Sequence, residues 1–447
     1  LLLVGSNINS PKHSKASKVP SGRLARLGRL GSLASRVAGG MIAEGAVQLA
    51  AGKRPKLNEV LLTPNNVKRV ADQLAKLRGA AMKVGQLMSM DAGEMLPKEV
   101  SELLARLRAD ADPMPIGQLS QVLLKEWGED WQQQFQQFSL QPIAAASIGQ
   151  VHSAYLSQQQ RVAIKIQYPG VKDSIDSDVD NVVSLLNLSG LLPKQFDYQQ
   201  ILQDAKLQLH QEADYLQESE YLRQYQQKLA THPEFELPQL FDHLTTSNIL
   251  TMSHHDGEVI DQLSEEPQAL RDKIMHNLFK LLMMELFEFG LMQTDPNFAN
   301  YLYSKQSQKI ILLDFGATRQ LPSALSAGYR HLLSKALNQP FSLDLAALTD
   351  LGFVNDDSTE RQIATLKLML SMVIKPLQFD GDYDFAQSPL AKQLRETGMT
   401  LSYEHDYWNT PPIDVLLIHR KIGGMYLLAS RLKAKVNLKQ VFEPYRL

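Results

Sequence analysis

The chain has 447 residues, enough for about three domain-sized units at roughly 150 residues each. Hydrophobic residues make up 44% and charged residues 21%, which excludes a largely disordered chain, and 46 Lys and Arg against 48 Asp and Glu leave no basic excess to hold a nucleic acid. With no cysteine, disulfides, thiolate zinc sites, iron–sulfur clusters and cysteine nucleophiles are all excluded.

Residues 1–36 read as a flexible basic arm, carrying Lys12, Lys15, Lys18, Arg23, Arg26, Arg29 and Arg36 and no acid. Such an arm suits either solvent or an anionic lipid surface. Residues 37–110 read as a helical region. Val37–Ala51 is small and apolar, fit to pack on the body or to lie in a membrane interface. Thr63-Pro64 is a helix start, and Val70, Leu74, Leu77, Ala81, Val84 and Met88 then recur at spacings of three and four. Pro97 opens a further helix. Within residues 111–255 the period changes: Val151–Leu156 and Val162–Ile166 flank a polar turn and predict a β-hairpin. Residues 171–229 return to helical patterning, and Ile249–Met252 reads as a strand. Residues 256–447 are mainly helical apart from the strand Lys309–Asp314. The longest apolar stretch, Leu278–Met292, is interrupted by Lys280, Glu285 and Glu288, so no spanning helix is expected.

Three motifs carry chemistry. In Val162-Ala163-Ile164-Lys165 a lysine ends an apolar β run, where protein kinases set a lysine against the α- and β-phosphates of ATP. In Gln293-Thr294-Asp295-Pro296-Asn297-Phe298-Ala299-Asn300 an Asp and an Asn stand five apart, the kinase spacing for a catalytic base and a metal ligand. Leu312-Leu313-Asp314-Phe315-Gly316 then places a carboxylate at a strand end, where it can bind Mg²⁺. A glutamate partner for Lys165 is expected on the helix containing Gln211–Glu218. There Asp214 and Glu218 are expected to share one face, with Glu212 turned toward another neighbour. Three departures from a protein kinase stand out. Ala144-Ala145-Ala146-Ser147 replaces the glycine-rich loop, Gln293-Thr294 replaces the His-Arg before the catalytic Asp, and no substrate platform follows Gly316.

With these residues the chain resembles the UbiB (aarF-domain, ABC1-type) family of atypical kinases, in particular its coenzyme Q branch with mitochondrial members. The likeness runs from about Val19 to the C-terminus. It is carried by Lys83-Val84-Gly85-Gln86, Ala144–Ser147 with Ile148–His152, Glu212-x-Asp214, Met292–Asn297 and His419–Gly424. The resemblance implies an α+β, bilobal protein-kinase-like fold. An N-terminal helical extension over residues 37–110 would cover the active site, followed by an N-lobe over 111–255 and a mainly helical C-lobe over 256–447. It further implies that Ala144, Ala145, Ala146, Ser147, Lys165 and Glu218 bind ATP, and that Asn300 and Asp314 hold Mg²⁺, with Mn²⁺ as a substitute. Asp295 and Lys165 would be catalytic, and Lys83, Gln86, Glu212 and Asp214 regulatory. The implied activity is ATP hydrolysis or phosphoryl transfer to a small molecule or lipid in support of ubiquinone biosynthesis. A nucleotide-binding pseudokinase scaffold is the alternative, and general protein phosphorylation is disfavoured. Expected partners are ATP, anionic membrane lipid, quinone-pathway proteins or lipid intermediates and a second copy in a homodimer, with no nucleic acid. The expected location is the cytoplasmic face of a bacterial inner membrane or the matrix face of the mitochondrial one.

Overall fold

The computed structural model describes Lys83 and residues 114–447, apart from 147, 157–159, 189–198, 296, 338–344, 391–392, 394–395 and 398–411. The arm, Val37–Ala51 and the helices expected before residue 110 lie outside the described residues, except Lys83, which is helical and buried. Two compact units result. One takes residues up to Glu220 together with Pro238–His255, and the other takes Tyr221–Leu237 and Asp256–Leu447.

The first unit opens with α1 (Ile116–Trp127), which follows Pro115 and ends at Gly128 with φ +82°. It buries Leu119 and Leu123, one helical turn apart. Behind it Trp127, Trp131, Phe135 and Phe138 form a run of tilted and edge-on ring contacts with centroids 5.1–6.3 Å apart. The sheet pairs β1 (Gln137–Phe138), β3 (Gly149–Tyr155), β4 (Arg161–Gln167) and β6 (Ile249–Ser253) in that order, with β2 (Ala144–Ala145) also on β3. The β3–β4 hairpin matches the sequence expectation, with Val151 opposite Lys165 and His152 opposite Ile164. Gly149 starts β3 because any Cβ there would meet the Ile166 carbonyl oxygen at 2.3 Å. Three helices follow: α2 (Ile175–Leu188), α3 (Gln199–Glu212) and α4 (Tyr215–Lys228).

The second unit holds a sheet ordered β5 (Phe235–Glu236), β10 (Lys309–Leu312), β9 (Tyr301–Ser304), β7 (Glu258–Val259). The sequence groups residues 221–237 with the preceding lobe. They fall in this unit because β5 pairs in parallel with β10. Its central helix, α5 (Gln268–Met284), buries eight residues from Ile274 to Met284, as a core helix must. A π-helical turn, Glu285–Phe289, extends it, and Gly290 at φ +58° then turns the chain into β8 (Leu291–Gln293). The strand β8 pairs with β11 (Thr318–Gln320). The rest of the described residues is mainly helical, as expected, with α6 (Ser323–Ala336), α7 (Glu360–Gln378), opened by a Thr359–Gln362 capping box, and α8 (Ile413–Arg431), beside a short antiparallel pair of Tyr383–Asp384 with Lys435–Val436. Among the described residues no helix is long and apolar enough to cross a membrane.

Candidate active site

The first unit carries the Lys165–Glu218 pair. Hydrogen bonding along β4 fixes the Lys165 backbone between Val151 and Leu250. Its ammonium donates to both carboxylate oxygens of Glu218, at 3.0 and 2.9 Å, and stands 5.1 Å above the Tyr215 ring. Lys165 is 6% and Glu218 2% exposed. A charge this deep persists only when paired and hydrogen-bonded. The sequence places Glu218 among three acidic candidates, and the geometry selects it.

The acidic motif has a different local structure from the one expected. Asp214 and Glu218 do not share a continuous helix face, because the chain breaks between α3 and α4. Asp214 is the cap of α4: its Oδ1 accepts the Gln217 N–H at 3.0 Å, and its carbonyl accepts the Glu218 N–H at 2.9 Å. Glu212 closes α3 and accepts from the Lys83 ammonium at 2.5 Å. Glu212 and Glu218 thus hold Lys83 and Lys165 from two different helices. Lys83 is 2% and Glu212 9% exposed, so Lys83→Met takes a paired ammonium from a buried carboxylate. It is expected to lower unfolding stability by about 3–5 kcal/mol in urea titrations, with Lys83→Met/Glu212→Gln recovering most of the loss. Gln86 lies outside the described residues.

The alanine segment also differs from a loop. Ala144 and Ala145 pair as β2 with Val151 and Gln150, and the Ala146 N–H donates to the Gly149 carbonyl at 2.9 Å. Ser147 lies outside the described residues. Beside this segment His152 is fully buried. Gln150 Oε1 accepts the Met114 N–H at 2.8 Å, which turns the Gln150 amide nitrogen toward His152 Nε2, also at 2.8 Å. Nε2 is therefore an acceptor, and Nδ1–H donates to the Ser139 carbonyl at 2.8 Å. This geometry suits neutral imidazole alone. Burial lowers its pKa from 6.5 to about 4, against the opposing Ser139 bond. The unfolded chain takes up this proton below about pH 6.5 while the fold refuses it until about 4. Stability present above that window is therefore lost as pH falls, by about 3 kcal/mol for a shift of this size. His152→Asn is expected to flatten the dependence of unfolding free energy on pH between these limits.

The second unit carries the Asp295–Asn300 loop and Asp314. In the β9–β10 hairpin Tyr301 faces Leu312, so Asn300, just before β9, and Asp314, just after β10, flank the same end. The Leu313 N–H donates to the Asn300 carbonyl at 3.1 Å and fixes that juxtaposition. Asn300 Nδ2 donates to Asp295 Oδ2 at 3.1 Å, while Asp295 Oδ1 accepts the Asn297 N–H at 3.3 Å. The loop is anchored through Thr294, whose N–H and hydroxyl both donate to the Ala317 carbonyl, at 3.0 and 2.7 Å. Asp314 Oδ1 accepts the Gly316 N–H at 2.9 Å. With its amide nitrogen committed to Asp295, Asn300 presents a buried Oδ1 that accepts no hydrogen bond among the described residues. An orphaned amide oxygen beside a carboxylate is a hard oxygen donor set of the kind Mg²⁺ or Mn²⁺ takes, with phosphate and water completing the shell. The residues present fit such an ion. Sequence reasoning missed the interior behind this loop, where Tyr225, Glu285, Tyr301 and Lys421 meet Gln293. The charge of Glu285 inside an apolar run and the place of Lys421 in His419–Gly424 were its visible signals.

A kinase-type lysine–glutamate pair on a strand and a helix, with an Asp–Asn loop and an Asp-Phe-Gly turn in a mainly helical second unit, defines an atypical kinase-like protein. Residues 106–342 match the ABC1 atypical kinase-like domain, and the chain belongs to that family. It is 37% identical to the atypical kinase COQ8, mitochondrial, of Saccharomyces cerevisiae, across 96% of this chain and 86% of that one. It is 34% identical to the mitochondrial atypical kinase COQ8B of Rattus norvegicus, across 96% and 81%. A probable serine/threonine-protein kinase, abkA, of Dictyostelium discoideum is 33% identical across 97% and 80%. Among solved structures, Rv3197 of Mycobacterium tuberculosis, described in complex with erythromycin, superposes with a TM-score of 0.57 at 25% identity, across 84% of this chain and 95% of that one. The fold is kinase-like, a mixture of helices and sheets.

Proposed function

We propose that this chain is a Mg-ATP-dependent kinase-like enzyme that supports ubiquinone biosynthesis by ATP hydrolysis or phosphoryl transfer to a small molecule or lipid. The observation that carries the reading is the bidentate Lys165–Glu218 pair, a buried ammonium held on a rigid strand in the manner that phosphate binding requires. Lys165 takes the α- and β-phosphates, and Glu218 fixes its direction. Asn300 and Asp314 hold the metal ion, which, when bound with the nucleotide, neutralises phosphate charge. Asp295, oriented by Asn300, accepts the proton of the attacking water or hydroxyl. A bond forms from that oxygen to the γ-phosphorus, the bond from the γ-phosphorus to the bridging oxygen breaks, and ADP leaves.

The setting we propose is a membrane surface, with anionic lipid and quinone-pathway components as partners and, in a eukaryotic cell, the mitochondrion as the compartment of its similarly named relatives. The test is ATP turnover by purified protein with and without anionic liposomes and a phenol resembling a quinone precursor, paired with rescue of ubiquinone levels in a strain lacking its own relative. Parent protein is expected to rescue and Asp314→Asn protein to fail. Rescue by a variant that binds nucleotide without hydrolysing it overturns the enzymatic reading in favour of a scaffold.

A further inference from the structure

Both ends of the Asp295–Asn300 loop meet one buried ammonium. Lys421, on α8, donates to the Gln293 main-chain oxygen at 2.7 Å, to Gln293 Oε1 at 3.0 Å and to the Tyr301 hydroxyl at 2.6 Å. Gln293 ends β8 and Tyr301 begins β9, so these three bonds bracket the segment that carries Asp295 and Asn300. The Tyr301 hydroxyl donates a hydrogen bond to Gln293 Oε1 at 3.2 Å, which ties the two ends to each other as well.

The counter-charge comes from Glu285 in the π-helical turn, with Oε2 at 3.5 Å from the ammonium. Its Oε1 accepts the Tyr225 hydroxyl at 2.7 Å and the Gln293 N–H at 3.2 Å. The same N–H also reaches the Tyr225 oxygen at 2.8 Å. Lys421 is 1% and Glu285 0% exposed. Burial works to lower the Lys421 pKa, but the Glu285 carboxylate and the Tyr301 hydroxyl outweigh it and leave it raised, so the ammonium keeps its charge, while burial raises the pKa of Glu285 against the opposing pull of Lys421. Glu285, Gln293 and Tyr301 also border a cavity of about 10 Å³, room for one water at most, shared with Asn300 and Asp314.

A buried ion pair is a poor source of stability, because desolvation of the two charges offsets their attraction. Apolar side chains would fill the same space at lower cost. What an ammonium adds is three directed bonds to both ends of one loop, and the loop is the element on which the proposed chemistry depends. On that reading of function, we propose that Lys421 is the positioning residue of the Asp295–Asn300 loop: its ammonium sets the separation of Gln293 and Tyr301 and so holds Asp295 and Asn300 in working geometry. The Lys421 ammonium is committed to Gln293, Tyr301 and Glu285 and acts through them. It acts from a helix far downstream of the loop in sequence.

The test compares the full chain with Lys421→Met and with Lys421→Met/Glu285→Gln, in which both charges are removed and no lone charge is stranded. Hydrogen exchange of the peptide spanning residues 293–301 is expected to quicken at least about 10-fold in both variants, while the remaining core of the unit in the double variant exchanges as in the parent. ATP turnover is expected to fall by about 10²-fold in kcat, with KM for Mg-ATP within about threefold of the parent. A merely stabilising ion pair predicts the opposite, since the double variant then regains parental turnover along with its stability. Parental kcat or parental loop exchange in the double variant overturns the inference. Tyr301→Phe, which removes one of the three ammonium bonds together with the Tyr301–Gln293 bond without touching a charge, serves if the lysine variants do not fold. A fall of about 3–10-fold in kcat supports the proposal and parental kcat overturns it. Absence of turnover in the parent itself counts against the functional reading, and the exchange measurement then decides the positioning role alone.

Discussion

Asp314→Asn protein is expected to lose Mg-ATP binding and to turn over ATP at least about 10²-fold more slowly than the parent. The substitution keeps size and shape. Asparagine can still accept the Gly316 N–H that Asp314 Oδ1 accepts at 2.9 Å, so the turn after β10 retains its internal bond. What disappears is the negative charge beside the orphaned Asn300 Oδ1, leaving two neutral amide oxygens where a divalent cation needs at least one carboxylate. The parent should gain about 2.7 kcal/mol of stability at a nucleotide concentration 100 times its dissociation constant, seen as a rise in melting temperature that needs magnesium. The variant should show the unliganded melting temperature of the parent and no rise. Full ATP hydrolysis by purified Asp314→Asn protein contradicts the proposed role of this residue. Chelation of divalent ions is expected to bring the parent to the behaviour of the variant, because both remove the same neutralisation of phosphate charge.

Several of these elements were visible in the sequence because they depend on short-range pattern. Alternation around a polar turn located β3 and β4 and placed Lys165 near the end of a strand. The apolar run before Asp314 located β10, and the hairpin register then brings Asn300 alongside it. The helix break at Asp214 went unread because neither glycine nor proline marks it. A signal was nonetheless present, since Asp214 followed three residues later by Gln217 is a helix-start pattern, and the Gln217 N–H does bond to Asp214. With that break in place, Glu212 and Glu218 fall on different helices and can serve different lysines. The strand at Ala144–Ala145 was hidden by the comparison with a glycine loop, although alanine tolerates an extended backbone as readily as a turn. Lys421 stands in the sequence only as part of the His419–Gly424 segment that carries the family likeness, with nothing there to show its role. A lysine on a helix reads as a solvated edge, and its partners Glu285, Gln293 and Tyr301 lie in distant segments that only the folded unit assembles. Glu285 did register, as a charge spoiling an apolar stretch, but as an obstacle to membrane spanning and not as the counter-ion it proves to be.

Lys165→Met is expected to reduce ATP turnover by about 10²–10³-fold, and a companion variant separates chemistry from stability. In the single variant the Glu218 carboxylate, 2% exposed, loses the ammonium that donates to both its oxygens. An uncompensated buried charge of this kind costs about 3–5 kcal/mol, so the protein should unfold at lower urea concentration and the loss of turnover alone would be ambiguous. Lys165→Met/Glu218→Gln removes the stranded charge and should recover most of that stability, since methionine and glutamine fill the space left by the pair and the Tyr215 ring still packs above it. Turnover should not recover. The lysine is needed for the phosphates, and Glu218 is needed only to aim the lysine, so once Lys165 is gone the second substitution has nothing further to remove. The two changes are accordingly expected to be non-additive in kcat/KM, with the double variant no worse than the single one, while Glu218→Gln alone lowers turnover by a smaller factor through a misdirected Lys165. Kinetics on the three variants beside urea unfolding check the cycle. Recovery of parental turnover in the stabilised double variant would show that the pair holds the fold and takes no part in handling ATP.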